Sequence, residues 1–314
     1  MRAATIREQE IVIEEHDDPV PQAGEALVRV RAAGLNGADM MQRRGLYPAP
    51  PGSPQDIPGM ELAGEVAALG SGAERFAVGA RVMAIVGGGA QAELATVHER
   101  LLMPVPDALD WTAAGALPEV FVTAHDALFA QAELRSGERL LVHGGAGGVG
   151  TAAIQLGRAV GARVTATVHR DELSERVSAL GCEAISPEGF AECGPFDVIL
   201  ELVGAPNMAE NLNAIDTGGR IVVIGVSAGA KSELNLLALM GKRARILGST
   251  LRARSLEEKA LTARRLEHEV LPLFAASPPA LRVPIAETFP LEQAAAAYER
   301  FAAGGKLGKI VLTM

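Results

Sequence analysis

Cysteine is nearly missing from this chain: 314 residues contain two, Cys182 and Cys193. Two thiols cannot build a four-cysteine metal lobe or a disulfide framework, and their scarcity fits a reducing, cytoplasmic setting. Aromatic residues make up 4% of the chain, with one tryptophan and two tyrosines. That is too few for a surface that stacks on nucleic-acid bases. Positive charge is the minority sign, 29 Lys and Arg against 38 Asp and Glu, for a formal net charge of −9. No nucleic-acid partner is therefore expected. No run of about 20 uninterrupted apolar residues occurs, so no membrane span is expected either. The opening MRAATIREQEIVIEEHDD has scattered charges and no apolar centre, and does not read as a signal peptide.

Apolar residues account for 48% and charged residues for 21%, the balance of an ordinary globular protein. A chain of 314 residues exceeds one compact core, so two domains are expected. The first third reads as short strands. EALVRVRAAG (25–34) alternates apolar and polar, and ELAGEVAALG (61–70) and ARVMAIVG (80–87) follow the same rule. YPAPPGSPQDIPG (47–59) holds five prolines and two glycines and must be loop. Short strands separated by such turns predict a small β-barrel or sandwich.

Near residue 107 the character changes. A helical stretch begins at an Asp and should break or kink at Pro118. Strands and helices then alternate: RLLV (139–142), a helix from Val149, ARVTATVH, DELSERVSAL, FDVILELVG, a helix near 208–215, and GRIVVIGV. Near-continuous apolar strands alternating with helices predict a parallel sheet covered on both faces. From CEAIS to Phe196 only about ten residues remain, fewer than a helical crossover needs, so that helix is expected to be lost or reduced to one turn. SLEEKALTARRLEHEVLPLF (255–274) reads as an amphipathic helix, and the tail GKLGKIVLTM as a strand returning to the first domain.

HGGAGGVG (143–150) lies between RLLV and TAAIQLGRAVGA. Gly145, Gly147 and Gly150 fit GxGxxG, and Gly144, Gly147 and Gly150 fit GxxGxxG. One glycine permits the tight turn, one lets backbone approach a pyrophosphate, and one lets helix pack on strand. The helix start, Gly148 and Val149 included, then offers free N–H groups and a favourable dipole to phosphate. Placed between a strand and a helix, the motif predicts dinucleotide binding. The second strand ends TATVHRDE, with His169 and Arg170 near the place where an NAD site carries an acid. A cation there suits a 2′-phosphate, so NADPH is the expected cofactor. Asp171, the next residue, is an acid that weighs against this; its other reading is the cap of the following helix.

GLNGADMMQRRGLYPAPPGSPQDIPGMELAGEVAALG (34–70), ALPEVFVTAHDAL (116–128) and HGGAGGVGTAAIQLGRAVGA (143–162) together resemble the medium-chain dehydrogenase/reductase superfamily, in its zinc-free, NADPH-dependent quinone oxidoreductase branch. The resemblance spans almost the whole chain and includes 248–274 and GKIVL (308–312). It implies an α/β fold in which a doubly wound Rossmann sheet is inserted into a GroES-like β-barrel. By residue number, 1–115 and 254–314 would form the catalytic domain and 116–253 the NADPH-binding domain. It implies a homodimer through the edge strand near RARILGST (243–250). Thr123, Gly204 and Gly225 join the glycine loop, His169 and Arg170 as implied cofactor contacts.

Zinc members of the superfamily place Cys where this chain has Asn36, His where it has Met60, and Cys near Glu119. An amide, a thioether and one carboxylate make a poor zinc set, so no metal is expected. Glu61 reads as structural and His143 as a packing residue. Quinones accept hydride directly, so the protein need only orient the acceptor and stabilise the developing oxyanion. The resemblance makes Tyr47 the candidate donor, and an amide at Asn36 can bind the substrate oxygen. Two departures stand out. Gly147 replaces a serine of similar enzymes, and Leu173 and Pro187 stand where many carry Lys and Tyr beside the 2′-phosphate. Two other readings stay open: reduction of an activated double bond in an enone, enal or enoyl thioester, and a non-catalytic NADPH-binding redox sensor. The part played by the loop 226–242 is also open.

Overall fold

The computed structural model describes residues 1–314, which divide into two compact units. The first comprises Met1–Val122, Leu251–Gly304 and Lys309–Met314; the second comprises Thr123–Thr250 and Gly305–Gly308. The divisions fall at 122/123 and 250/251, not at the expected 115/116 and 253/254. Residues 116–122 stay with the first unit because Phe121 is packed there, its ring edge-on to Phe274 at 5.0 Å.

The chain opens with β1 (Arg2–Arg7), β2 (Glu10–Glu15), β3 (Glu25–Gly34), α1 (Gly37–Arg43), β4 (Glu61–Leu69), β5 (Arg81–Ile85), β6 (Leu94–His98) and β7 (Met103–Pro104). The expected strands at 25–34, 61–70 and 80–87 are thus present as β3, β4 and β5. Next come α2 (Trp111–Gly115), capped by the Asp110 side chain, and α3 (Pro118–His125). Pro118 breaks the stretch as expected, by starting a new helix where its missing N–H costs nothing. A π-helical turn, Asp126–Gln131, continues α3.

The second unit then alternates β8 (Arg139–Val142), α4 (Gly148–Ala159), β9 (Arg163–Thr167), α5 (Asp171–Ser178), β10 (Glu183–Ile185), β11 (Phe196–Glu201), α6 (Met208–Ala214), β12 (Ile215–Val223), α7 (Leu236–Lys242) and β13 (Arg245–Gly248). All six strands are parallel, in the order β10-β9-β8-β11-β12-β13. The short crossover before β11 is a single 3₁₀ turn, Phe190–Cys193, with Phe190 buried. The stretch 226–242 ends in helix α7, capped by the Asn235 side chain on the Ala238 N–H. Its Leu236, Leu237 and Met240 are 64%, 77% and 71% exposed. α4 lies close on the sheet: a Cβ at Gly157 would stand 2.7 Å from Leu140.

The last segment gives α8 (Leu256–Glu269), α9 (Leu271–Ala275), β14 (Ile285–Pro290), α10 (Ala294–Ala302) and β15 (Lys309–Thr313). β15 pairs antiparallel with β3, so the tail returns to the first unit as expected. β3 is ten residues long and organises that sheet. β4 occupies one edge of β3; the other is shared by β6, along 25–29, and β15, along 32–34. One long strand with two successive partners bends the sheet into the barrel-like form. Val28, Val30, Leu62, Val66, Val82 and Leu102 fill its core.

Candidate active site

In the second unit, the glycine loop runs from the end of β8 into α4. Gly144 has φ +68°, a backbone conformation that favours glycine. A Cβ at Gly150 would lie 2.3 Å from the Gly144 carbonyl oxygen, and one at Gly145 would lie 2.8 Å from Ala166 Cβ. These glycines therefore allow the turn, the close return of the helix and the packing against β9. Gly147 is the N-cap of α4 and supplies no side chain to its first amides. The dipole and the uncapped N–H groups of Gly148, Val149 and Gly150 form a cradle suited to a pyrophosphate. Gly204, with φ +106°, and Gly225 let the turn after β11 approach the segment after β12. A Cβ at the first would meet the Gly229 carbonyl at 2.4 Å, and at the second the Leu202 carbonyl at 2.5 Å.

His169 and Arg170 are exposed on the turn after β9. The Arg170 guanidinium lies against Gly305 and 3.6 Å from the Glu172 carboxylate. Such an exposed pair contributes little, so a phosphate dianion can displace Glu172. Leu173 is buried in the core and Pro187 lies just beyond β10, so neither supplies a polar group there. Thr123 is buried within α3.

The first unit holds the residues expected to serve the acceptor. Tyr47 is half-buried on the proline-rich loop that follows α1. Burial, helped by Glu119, pushes its phenol up, against the pull of Arg252. The hydroxyl is therefore protonated near neutrality, as a hydrogen-bond donor must be. Arg252, 3% exposed, holds the loop in place. It donates to the carbonyl oxygens of Gly87 (2.8 Å) and Tyr47 (3.0 Å) and to Gln42 Oε1 (2.6 Å), and its guanidinium stands 5.1 Å from the Tyr47 ring centroid. One buried side chain thus ties α1, the Tyr47 loop and the turn after β5 together.

Asn36 faces inward. Its Oδ1 accepts from Lys309 Nζ at 2.5 Å, and its Nδ2 donates to Glu61 Oε1 at 3.0 Å and the Gly34 carbonyl at 3.3 Å. Every polar atom of the amide has a protein partner, which leaves none for a substrate oxygen; this corrects the substrate-binding expectation for Asn36. Lys309, 3% exposed, also contacts Glu61 Oε1 at 2.7 Å and the Leu35 carbonyl at 2.7 Å. Glu61 Oε2 accepts from the Glu119 N–H at 2.9 Å, consistent with a structural role. Asp39 accepts from the N–H of Asn36 at 2.9 Å and of Gly59 at 3.3 Å. Burial pushes its carboxyl up to about 6, against the Asn36 N–H and Lys309.

The same cluster tests the zinc question. The amide at 36 is bonded to an ammonium, Met60 offers a buried thioether, and Lys309 places positive charge against Asn36 and Glu61. These residues do not fit zinc, which prefers thiolate and imidazole and is repelled by a neighbouring cation. No group of three or more His, Cys, Asp or Glu side chains is arranged to hold a metal ion.

Comparison with known proteins agrees with the fold. Residues 22–107 match the family model "Alcohol dehydrogenase GroES-like domain", and residues 148–265 match "Zinc-binding dehydrogenase". A quinone oxidoreductase of Rattus norvegicus is 32% identical over 309 residues, 94% of this chain and 91% of the relative. The crystal structure of a quinone oxidoreductase from Pseudomonas syringae superposes with a TM-score of 0.89 at 28% identity, over 100% of both chains. A mycobacterial protein complexed with NADPH gives a TM-score of 0.88 at 25% identity, again over 100% of both. The chain belongs to the medium-chain dehydrogenase/reductase superfamily of oxidoreductases, in the quinone oxidoreductase family.

Proposed function

We propose that this chain is an NADPH-dependent quinone oxidoreductase that works without a metal. The observation that carries the cofactor choice is Arg170: an exposed guanidinium follows β9 where an NAD-specific site places a carboxylate. The uncapped start of α4 holds the pyrophosphate, and Arg170 pairs with the 2′-phosphate, with His169 beside it. Thr123, Gly204 and Gly225 complete the cofactor contacts. When bound, the nicotinamide supplies the hydride. Tyr47 donates its phenolic hydrogen bond to the acceptor oxygen as negative charge grows there. Arg252 holds the Tyr47 backbone and ring, and the Lys309–Glu61–Asn36 cluster holds the start of α1. The acceptor is a small electrophile of the quinone type, as the similar quinone oxidoreductases suggest.

No helix is long and apolar enough to cross a membrane. A cytoplasmic enzyme fits the two unpaired cysteines. A homodimer fits the edge position of β13 and the exposed apolar residues of α7. Sedimentation of the chain and of Leu237→Glu tests it: a dimer that the substitution dissociates is expected, and a monomeric wild type would overturn it.

The direct test follows NADPH and NADH absorbance with ortho- and para-quinones and with enones. Quinone turnover faster with NADPH is expected. Turnover of enones alone would move the assignment to double-bond reduction. Tight NADPH binding without turnover of any acceptor would leave a sensor.

A further inference from the structure

A buried chain of hydrogen bonds in the second unit has a direction, and that direction ends at the glycine loop. It starts at Glu201, the last residue of β11 and fully buried. Glu201 Oε1 accepts from the backbone N–H of Val203 (2.6 Å) and Gly204 (2.8 Å) and from Asn207 Nδ2 (3.3 Å). Its Oε2 accepts from Asn211 Nδ2 at 2.6 Å. Both oxygens act as acceptors, so the Asn211 amide must turn its NH₂ toward them. Its Oδ1 then faces His143 Nε2 at 2.7 Å. A carbonyl oxygen can only accept, so Nε2 carries the proton. Burial lowers the His143 pKa, outweighing Glu201 and the Asn211 bond, which raise it, so the ring is neutral and Nδ1 is a bare acceptor. Thr167 Oγ1, 3.2 Å away, must donate to it. The hydroxyl oxygen is then oriented to accept the Gly144 N–H, also at 3.2 Å.

With Glu201 ionised and the ring neutral, no other arrangement satisfies every member. A proton on Nδ1 would leave Nε2 and Asn211 Oδ1 as two acceptors facing each other in a site closed to water. The ring cannot swing away, because Phe190 packs edge-on against it at 4.6 Å. The chain joins the turns after β8 and β11, two neighbouring parallel strands, at the strand ends where open α/β sheets bind ligands. The expectation that His143 is only a packing residue does not account for this geometry.

We infer that His143 is a positioning residue for the dinucleotide: with Asn211 and Glu201 behind it, it orients the Thr167 hydroxyl, which fixes the Gly144 peptide and so the aperture of the glycine loop. The inference rests on the dinucleotide-binding reading above. Plain structural support would be lost with any substitution that loosens the fold, whereas this role depends on donor and acceptor order. Thr167→Val keeps the shape of residue 167 and removes its hydroxyl. Thr167→Ser keeps the hydroxyl. His143→Gln retains one donor and one acceptor, and His143→Phe removes both.

The experiment combines ¹⁵N spectroscopy of the imidazole in the wild type at neutral pH with calorimetric titration of NADPH into the wild type and the four variants. A neutral ring protonated at Nε2 is expected. Thr167→Val and His143→Phe should weaken NADPH binding by about tenfold, the order of one lost buried hydrogen bond, while Thr167→Ser and His143→Gln stay near wild type. If His143→Phe does not fold, the Thr167 pair and the wild-type tautomer still decide. A ring protonated at Nδ1, a charged ring, or Thr167→Val binding NADPH as tightly as the wild type would overturn the inference alone. A wild type that binds neither NADPH nor NADH would overturn the dinucleotide reading and this inference with it.

Discussion

Helices α1 and α4 each follow a strand after a short turn, and their N-terminal ends are furnished in opposite ways. At α1 the chain uses its own groups: Asp39 reaches back to the Asn36 N–H, and the surrounding charges are paired inside the protein. At α4 the cap is Gly147, with no side chain, and the first amides are left to whatever comes. The same contrast holds among the buried groups nearby. In the first unit, two buried carboxylates, Asp39 and Glu61, are accompanied by a buried ammonium, Lys309. In the second, buried Glu201 is matched by four N–H donors, with the His143 ring 3.8 Å away. A helix start braced by its own side chain is a fixed support. One that begins with glycine leaves its first amides open.

Removing the internal cation breaks the comparison most sharply. Lys309→Met leaves Glu61 and the Asn36 amide facing an apolar side chain, and should destabilise the protein by about 3–5 kcal/mol in urea or thermal unfolding. Adding Glu61→Gln should restore more than half, because the uncompensated charge is then gone as well. A single-variant loss under about 1 kcal/mol would show that the cluster is not held by charge.

The next effect is on chemistry rather than stability. Tyr47→Phe keeps the ring under Arg252 and removes the hydroxyl. kcat with a quinone should fall about 10²-fold, the cost of one oxyanion donor, with Tm unchanged. An unchanged kcat would return Tyr47 to a packing role.

Most of the architecture was legible because it follows from pattern. Alternation marked β3, β4 and β5, continuous apolar runs marked the parallel strands, and the glycine spacing located α4. The missing crossover helix was legible from length alone. Strand β14 and helices α7 and α10 were not picked out: α7 has an apolar face that nothing in its unit covers, so its pattern does not report burial. Within the site, residue type located Tyr47 and Arg170, but partners decide roles. Asn36 looked like a substrate ligand until Lys309, distant in sequence, was found on its oxygen. A lysine opening the otherwise apolar strand KIVLT was the readable signal, because a charge in a segment that must be buried needs partners. Arg252 gave no such signal, since the residues on either side of it are exposed or half-buried.

A subtler contrast appears with pH. Burial raises Asp39 from 3.8 to about 6, so the native state keeps its proton where the unfolded chain loses it. The sign follows: this contribution to stability is full below about pH 4 and is lost as pH rises toward about 6. The stability of wild type minus that of Asp39→Asn should fall across this window, by about 3 kcal/mol at most. A difference that stays flat from about pH 4 to about pH 6 would mean that Asp39 titrates at its ordinary value.

The smallest effect tests the bare cap itself. A Cβ at Gly147 would meet only the Gly144 carbonyl at 3.4 Å, ordinary contact, and the residue has φ −72° and ψ 166°, which suits serine. Gly147→Ser should therefore fold and raise stability by a few tenths of a kcal/mol, as serine replaces glycine at an N-cap. If the new hydroxyl takes an α4 amide in the free protein, NADPH must displace it, and affinity should drop slightly as stability rises. If affinity rises together with stability, the hydroxyl bonds the phosphate instead, and the glycine cap is less suited to the ligand than a serine would be. Equal stability and affinity to wild type would place the hydroxyl in solvent, leaving the α4 amides as open as they are now.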